Sequence, residues 1–87
     1  MEYILSKHIQ QRMGERDISG NEIESILYDE QNILVIPSRV DKDVDLFYGK
    51  CSEKYLMIAV NRQTRILITV RPMKQKEKKL YKEISNA

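Results

Sequence analysis

Residues 55–70 read Tyr55-Leu56-Met57-Ile58-Ala59-Val60-Asn61-Arg62-Gln63-Thr64-Arg65-Ile66-Leu67-Ile68-Thr69-Val70, and this stretch decides the fold class. Two apolar runs, Tyr55–Val60 and Ile66–Val70, flank Asn61-Arg62-Gln63-Thr64, a polar segment short enough for a hairpin turn. A strand open to water on one face alternates apolar with polar residues. These two are apolar at nearly every position, so both are expected to be central, adjacent and covered on at least part of each face. Upstream, Ile33–Ile36 is short, apolar and closed by Pro37. Val44–Tyr48 alternates, with Val44, Leu46 and Tyr48 on one face and Gly49 expected to end the strand. Downstream, Pro72 lacks an N–H for the ladder and is expected to stop the sheet. Met73, Leu80, Tyr81 and Ile84 then suggest a last helix with a narrow apolar stripe over residues 73–87.

The N-terminal third reads as helical. Ser6 can accept a hydrogen bond from the exposed first-turn amides. A helix is expected from Lys7 to about Arg16, weakened near its end by Gly14. Leu5, Ile9 and Met13 recur every fourth residue as its buried stripe. Ser19 and Glu22 form the S-x-x-E pattern of a capping box, and Ile18 with Ile23 fits the accompanying hydrophobic staple. A second helix should run from Gly20 to near Tyr28, burying Ile23, Ile26 and Leu27. The expected fold class is α+β, in the order ααββββα. Two N-terminal helices pack on a four-stranded antiparallel sheet and a C-terminal helix follows, in one domain spanning 1–87.

The chain has 87 residues and a formal net charge of only +2, so overall charge does not argue for a polyanionic partner. Its distribution is more telling. Arg62, Arg65, Arg71, Lys74, Lys76, Lys78, Lys79 and Lys82 face one acid, Glu77, between residues 62 and 82. Acids concentrate in 15–30 and 41–45. Cys51 is the single cysteine, which excludes an internal disulfide and a cysteine-built metal site and suits a reducing cytoplasm. The N-terminus lacks the pattern of a secretion signal, and no stretch reaches the roughly 20 apolar residues that span a membrane. No cofactor or metal is implied.

His8, Arg12 and Arg16 recur every fourth residue and share one stripe of the first helix, beside its buried stripe. An imidazole next to two fixed guanidiniums is suited to handling phosphate. The plain alternatives are surface ion pairs with Glu15, Glu22 or Glu24, and a solvated lysine face at Lys74–Lys82. Tyr28, Tyr48, Tyr55 and Tyr81 are expected at core edges with their hydroxyls in water, and Cys51 as a small apolar filler.

Ser6-Lys7-His8, Arg12-Met13, Arg16, Ile18-Ser19 and Ile68-Thr69-Val70 together resemble an uncharacterised family of small bacterial and phage domains. That family is similar to RelE/ParE-type toxins and colicin-type transfer-RNA nucleases. The resemblance covers residues 6 to 72 and implies a RelE/barnase-like arrangement of helices on a sheet. It also implies metal-independent cleavage of tRNA or mRNA in active members, and a possible cognate antitoxin or host protein target. His8 and Arg12 match the helix motif, Arg16 its second arginine, and Thr69 the terminal-strand hydroxyl. Arg71 stands just beyond Thr69, where the family more often carries an aromatic residue. Fold kinship alone does not fix activity, since ParE-like proteins act on gyrase.

Metal-free RNA cleavage needs a base for the 2′-hydroxyl, an acid for the departing oxygen and cations for the phosphorane charge. His8 would serve as base or acid, Arg12 and Arg16 as phosphate forks, and Thr69 as a donor to a phosphate oxygen. Tyr48 or Lys50 would supply a second proton-transfer group, and Arg71 a further phosphate contact. Two readings are carried forward. One is a toxin-like ribonuclease; the other is a non-catalytic binding module of the same fold, for RNA or for a host protein.

Overall fold

Ser6 and Ser19 start the two helices where the sequence places them. The computed structural model describes residues 2–85. In chain order these form β1 (Ile4–Leu5), α1 (Lys7–Glu15), α2 (Gly20–Leu27), β2 (Leu34–Pro37), β3 (Val44–Cys51), β4 (Lys54–Asn61), β5 (Ile66–Pro72) and α3 (Gln75–Ser85). The protein is α+β. The last two residues of the helix expected over 73–87 lie outside the described residues.

Ser6 Oγ accepts from the Ile9 amide at 3.1 Å and donates to the Ile68 carbonyl at 3.1 Å. One hydroxyl thus caps α1 and ties it to β5. The helix closes on a Schellman turn: the Ile18 amide reaches back to the Met13 carbonyl at 2.9 Å, with Asp17 left-handed at φ 54°. The capping box of α2 is complete, with Glu22 N to Ser19 Oγ at 3.1 Å and Ser19 N to Glu22 Oε1 at 2.9 Å. Ile18 and Ile23, the staple pair, are both buried. Ser19→Ala is therefore expected to cost about 0.5–2 kcal/mol. An unchanged midpoint in urea would show that the cap does not hold this helix.

The sheet corrects the expected topology. A two-residue strand, β1, precedes the helices and pairs parallel with β5 through Ile4↔Ile66 and Leu5↔Leu67. The sheet is therefore five-stranded and mixed, in the order β1-β5-β4-β3-β2, and not a four-stranded antiparallel one. Two residues carry no periodicity, so this strand leaves no signal in the sequence. Leu5, read as part of the α1 stripe, lies instead in β1 and is 39% exposed. β4 and β5 are adjacent as expected, and β4 is central. β5 is flanked on its outer side only at Ile66–Leu67.

Helices cover both faces, which explains the continuous apolar runs. On β4 the even residues Leu56, Ile58 and Val60 join Ile9, Ile18, Ile23, Ile26 and Leu27 under α1 and α2. The odd residues Met57 and Ala59 join Val44, Tyr48, Met73 and Tyr81 on the α3 face. β3 does not end at Gly49 but runs on to Cys51 and turns tightly at Ser52–Glu53 into β4. Gly49 sits inside the strand because α2 lies on it. A Cβ there would meet Ile26 Cγ2 at 2.5 Å. Gly49→Ala is expected to destabilise by about 1–3 kcal/mol through overpacking. In an Ile26→Ala background, which lacks that Cγ2, adding Gly49→Ala should cost little further, and an undiminished cost there would exclude the clash as the cause.

β5 carries a bulge. Ala59 pairs with Thr69 and Val60 with Leu67, so Ile68 has no partner across the strand. Side chains therefore switch faces out of step, with Leu67 and Val70 under α1 and α2 and Ile68 on the α3 face. The open side of β5 is filled by α1: Ser6 Oγ takes the Ile68 carbonyl and Arg16 Nη1 the Val70 carbonyl at 2.8 Å. At the opposite border, the Ser38 amide bonds the Val44 carbonyl at 2.9 Å. By strand alternation the Pro37 nitrogen then faces outward, where no donor is needed. Among the described residues no helix is long and apolar enough to cross a membrane.

Candidate nucleic-acid interface

The first helix does not assemble the expected catalytic group. His8 is exposed, and its Nε2 accepts from Arg12 Nε at 3.4 Å. Arg12 Nη1 is paired with Glu15 at 2.9 Å. Arg16 spends its guanidinium on the Val70 carbonyl. Thr69 is directly opposite Ala59, and residues facing each other across an antiparallel pair share a face. Ala59 belongs to the cluster under α3, so Thr69 lies on the sheet face opposite α1. The bulge at Ile68 is the physical reason. Simple alternation from Leu67 would have put Thr69 under α1; one unpaired residue puts it on the other side. His8, Arg12 and Arg16 are thus not brought onto one concave surface with Thr69.

Tyr48 and Arg71 do converge, but on a carboxylate of the chain itself. Glu77 Oε1 and Oε2 accept from Arg71 Nη1 and Nη2 at 2.7 and 2.8 Å, a two-pronged fork. The Tyr48 hydroxyl donates to Glu77 Oε2 at 3.1 Å, and the Lys74 amide to Oε1 at 2.8 Å. The arginine fork, the backbone amide and the tyrosine hydroxyl outweigh burial and bring the Glu77 carboxyl down to about 2. Burial and the facing carboxylate push the Tyr48 hydroxyl up. These groups hold α3 on the sheet. Contrary to the expectation that their hydroxyls lie in water, that of Tyr48 is held by Glu77 and that of Tyr81 donates to the Asn32 carbonyl at 2.7 Å.

The basic C-terminal third is sorted by the fold. Its arginines are absorbed. Arg62 grips Asp45 through two bonds at 2.8 and 3.1 Å, holding that carboxyl low. Arg65 lies over the Tyr3 ring at 4.6 Å, and Arg71 is held by Glu77. The lysines are left outward. Two of them, joined by Lys50 of β3, surround a single aromatic ring. The ammonium groups of Lys50, Lys78 and Lys82 lie 5.3, 5.1 and 5.1 Å from the Tyr55 ring centroid. Cross-strand register sets Lys50 opposite Tyr55, and one helical turn sets Lys78 beside Lys82. Tyr55 is itself fixed edge-on against buried Tyr81, with ring centroids 6.0 Å apart.

Of the candidate residues, Lys50 alone takes part in this cluster. Tyr55, Lys78 and Lys82 were not singled out as a site in the sequence. Their signal was present in the equal spacing of Lys50 and Tyr55 from the Ser52–Glu53 turn and in the Lys78–Lys82 interval. No family model matches the chain, and neither the curated proteins nor the solved structures contain a significant match to it.

Proposed function

We propose that this protein is a non-catalytic binding module for RNA, engaging the phosphate backbone through the lysine face of α3 and β3. The convergence of Lys50, Lys78 and Lys82 on Tyr55 carries this reading. Each ammonium gains about 0.5–1 kcal/mol from this half-buried ring. Against this, three positive charges stand within about 5 Å of one point and repel one another. A chain of phosphates relieves that repulsion and releases its own counterions on binding. Exposed Lys74, just ahead of α3, and exposed Lys79 on it extend the basic track. The ribonuclease reading suggested by the RelE/ParE-type resemblance is set second, because its four residues lack a common point.

Fluorescence anisotropy with labelled single-stranded RNA tests the proposal. Wild-type affinity should fall steeply with salt, by about 0.7 log units per log unit of salt for each phosphate neutralised. The triple variant Lys50→Ala/Lys78→Ala/Lys82→Ala should bind at least about tenfold more weakly, with a shallower salt slope. Total RNA incubated with wild type or His8→Ala in EDTA should remain intact in both. An unchanged salt slope in the triple variant would remove the cluster from binding. Cleavage by wild type that His8→Ala abolishes would restore the enzyme reading.

A further inference from the structure

A second surface has the opposite chemistry. Tyr3, Leu5, Ile23, Leu27, Tyr28 and Leu67 line an open groove of about 380 Å³ between β1 and α2. Leu5 is 39% and Tyr28 53% exposed, and the neighbouring Ile4 is 57% exposed. Among the described residues the charged groups lining this groove are Glu2 and Glu24, and no lysine or arginine lines it. Its volume lies in the range of sites that take small ligands or single anchoring side chains, roughly 300–1,000 Å³.

One wall is held in place before any partner arrives. Tyr3 packs edge-on against Tyr28, with centroids 5.9 Å apart and planes at 65°. The Arg65 guanidinium covers the same ring from 4.6 Å. Arg65 Nε is a buried side-chain nitrogen without a hydrogen-bond partner, and the ring contact takes the place of that bond. Restricting Tyr3 in this way lowers the entropy cost of receiving a side chain beside it.

We propose that this groove binds a short peptide segment of a partner protein, with large apolar side chains seated on Leu5, Leu27 and Tyr28 and flanking lysine or arginine residues at Glu2 and Glu24. Charge complementarity selects this occupant. The two rim carboxylates repel a polyanion and attract a basic flank, while the floor rewards burial of apolar area. The groove and the lysine face are chemically opposite, so the two surfaces would engage different partners.

The test is fluorescence anisotropy with the fluorescein-labelled peptide Lys-Lys-Phe-Leu-Lys. Its controls are Glu-Glu-Phe-Leu-Glu, which reverses the flanks, and Lys-Lys-Ser-Ser-Lys, which removes the anchors. The first should bind saturably and at least roughly tenfold tighter than either control. Glu24→Lys, an exposed change of charge, and Tyr28→Ser, an exposed change of shape, should each weaken it by roughly tenfold. The triple lysine variant should bind it as wild type does, which separates this site from the RNA surface. Equal binding of all three peptides, or no effect of Glu24→Lys, would overturn the proposal. So would a concentration-dependent dimer in sedimentation that Tyr28→Ser abolishes, since the groove would then belong to a second copy of this chain.

Discussion

Tyr81→Ala is expected to destabilise the protein by about 3–5 kcal/mol, the cost of emptying a large aromatic site in a packed interior. Tyr81 has no exposed surface. Its ring packs against Tyr55, its hydroxyl reaches the Asn32 carbonyl ahead of β2, and its own carbonyl accepts from Ser85 Oγ at 2.6 Å. It is the one buried residue of α3, so it carries the apolar share of the helix's hold on the sheet, beside the polar share at Glu77. A domain of this size is stable by about 5–15 kcal/mol in total, so the loss should be plain in the urea midpoint. Tyr81→Phe keeps the ring and loses only the bond to Asn32, for about 1 kcal/mol. If alanine proved no worse than phenylalanine, the ring would not be what anchors α3. Because Tyr55 is fixed by Tyr81, the alanine variant should also loosen the lysine cluster and weaken RNA binding.

Glu77→Gln should reshape stability at acid pH. The carboxyl is ordinarily near 4.5 and is brought down to about 2 in the folded protein. A depressed folded value means the native state holds the charged form. Its contribution is fully present above pH 4.5 and is lost as pH falls from there towards 2. The shift corresponds to about 3 kcal/mol. The glutamine variant should be less stable than wild type by about that amount at pH 7, since it leaves the Arg71 guanidinium without its fork partner. The gap should close by pH 2, where wild type has lost the same interaction. A gap of equal size at both ends of this range would show that Glu77 acts through packing and not through its charge. Asp45 and Glu22 are lowered in the same direction by Arg62 and by the Ser19 amide, so they shape both curves alike.

The helix starts were legible because caps are local chemistry. Ser6, Ser19, Glu22 and the staple pair need nothing beyond their own neighbours. The cover on both sheet faces was legible for a related reason, since a strand apolar on every residue has no side to show to water. Three features depended on distant parts of the chain and were missed. β1 has meaning only once Ile66 and Leu67 stand beside it. Gly49 reads as a strand end until Ile26 is laid over it. The bulge at Ile68 lies in an unbroken apolar run, where no polar residue marks a change of face, and it alone decides where Thr69 lies. The candidate cations show the same division. Sequence spacing finds a stripe of His8, Arg12 and Arg16, but the carbonyl of Val70 and the carboxylate of Glu15 determine what those groups are free to do.

The borders of the sheet have a consequence for the protein at high concentration. Fibril growth needs a run of unpaired amides and carbonyls on which a foreign strand can nucleate and then repeat. Here the β5 carbonyls are occupied by Ser6 and Arg16, the Leu5 carbonyl accepts from Gln10 at 3.3 Å, and Pro37 interrupts the donors of β2. Each flank offers an incoming chain too few rungs to nucleate. A sheet built from continuous apolar runs is thereby left with borders on which a polymer finds little to copy.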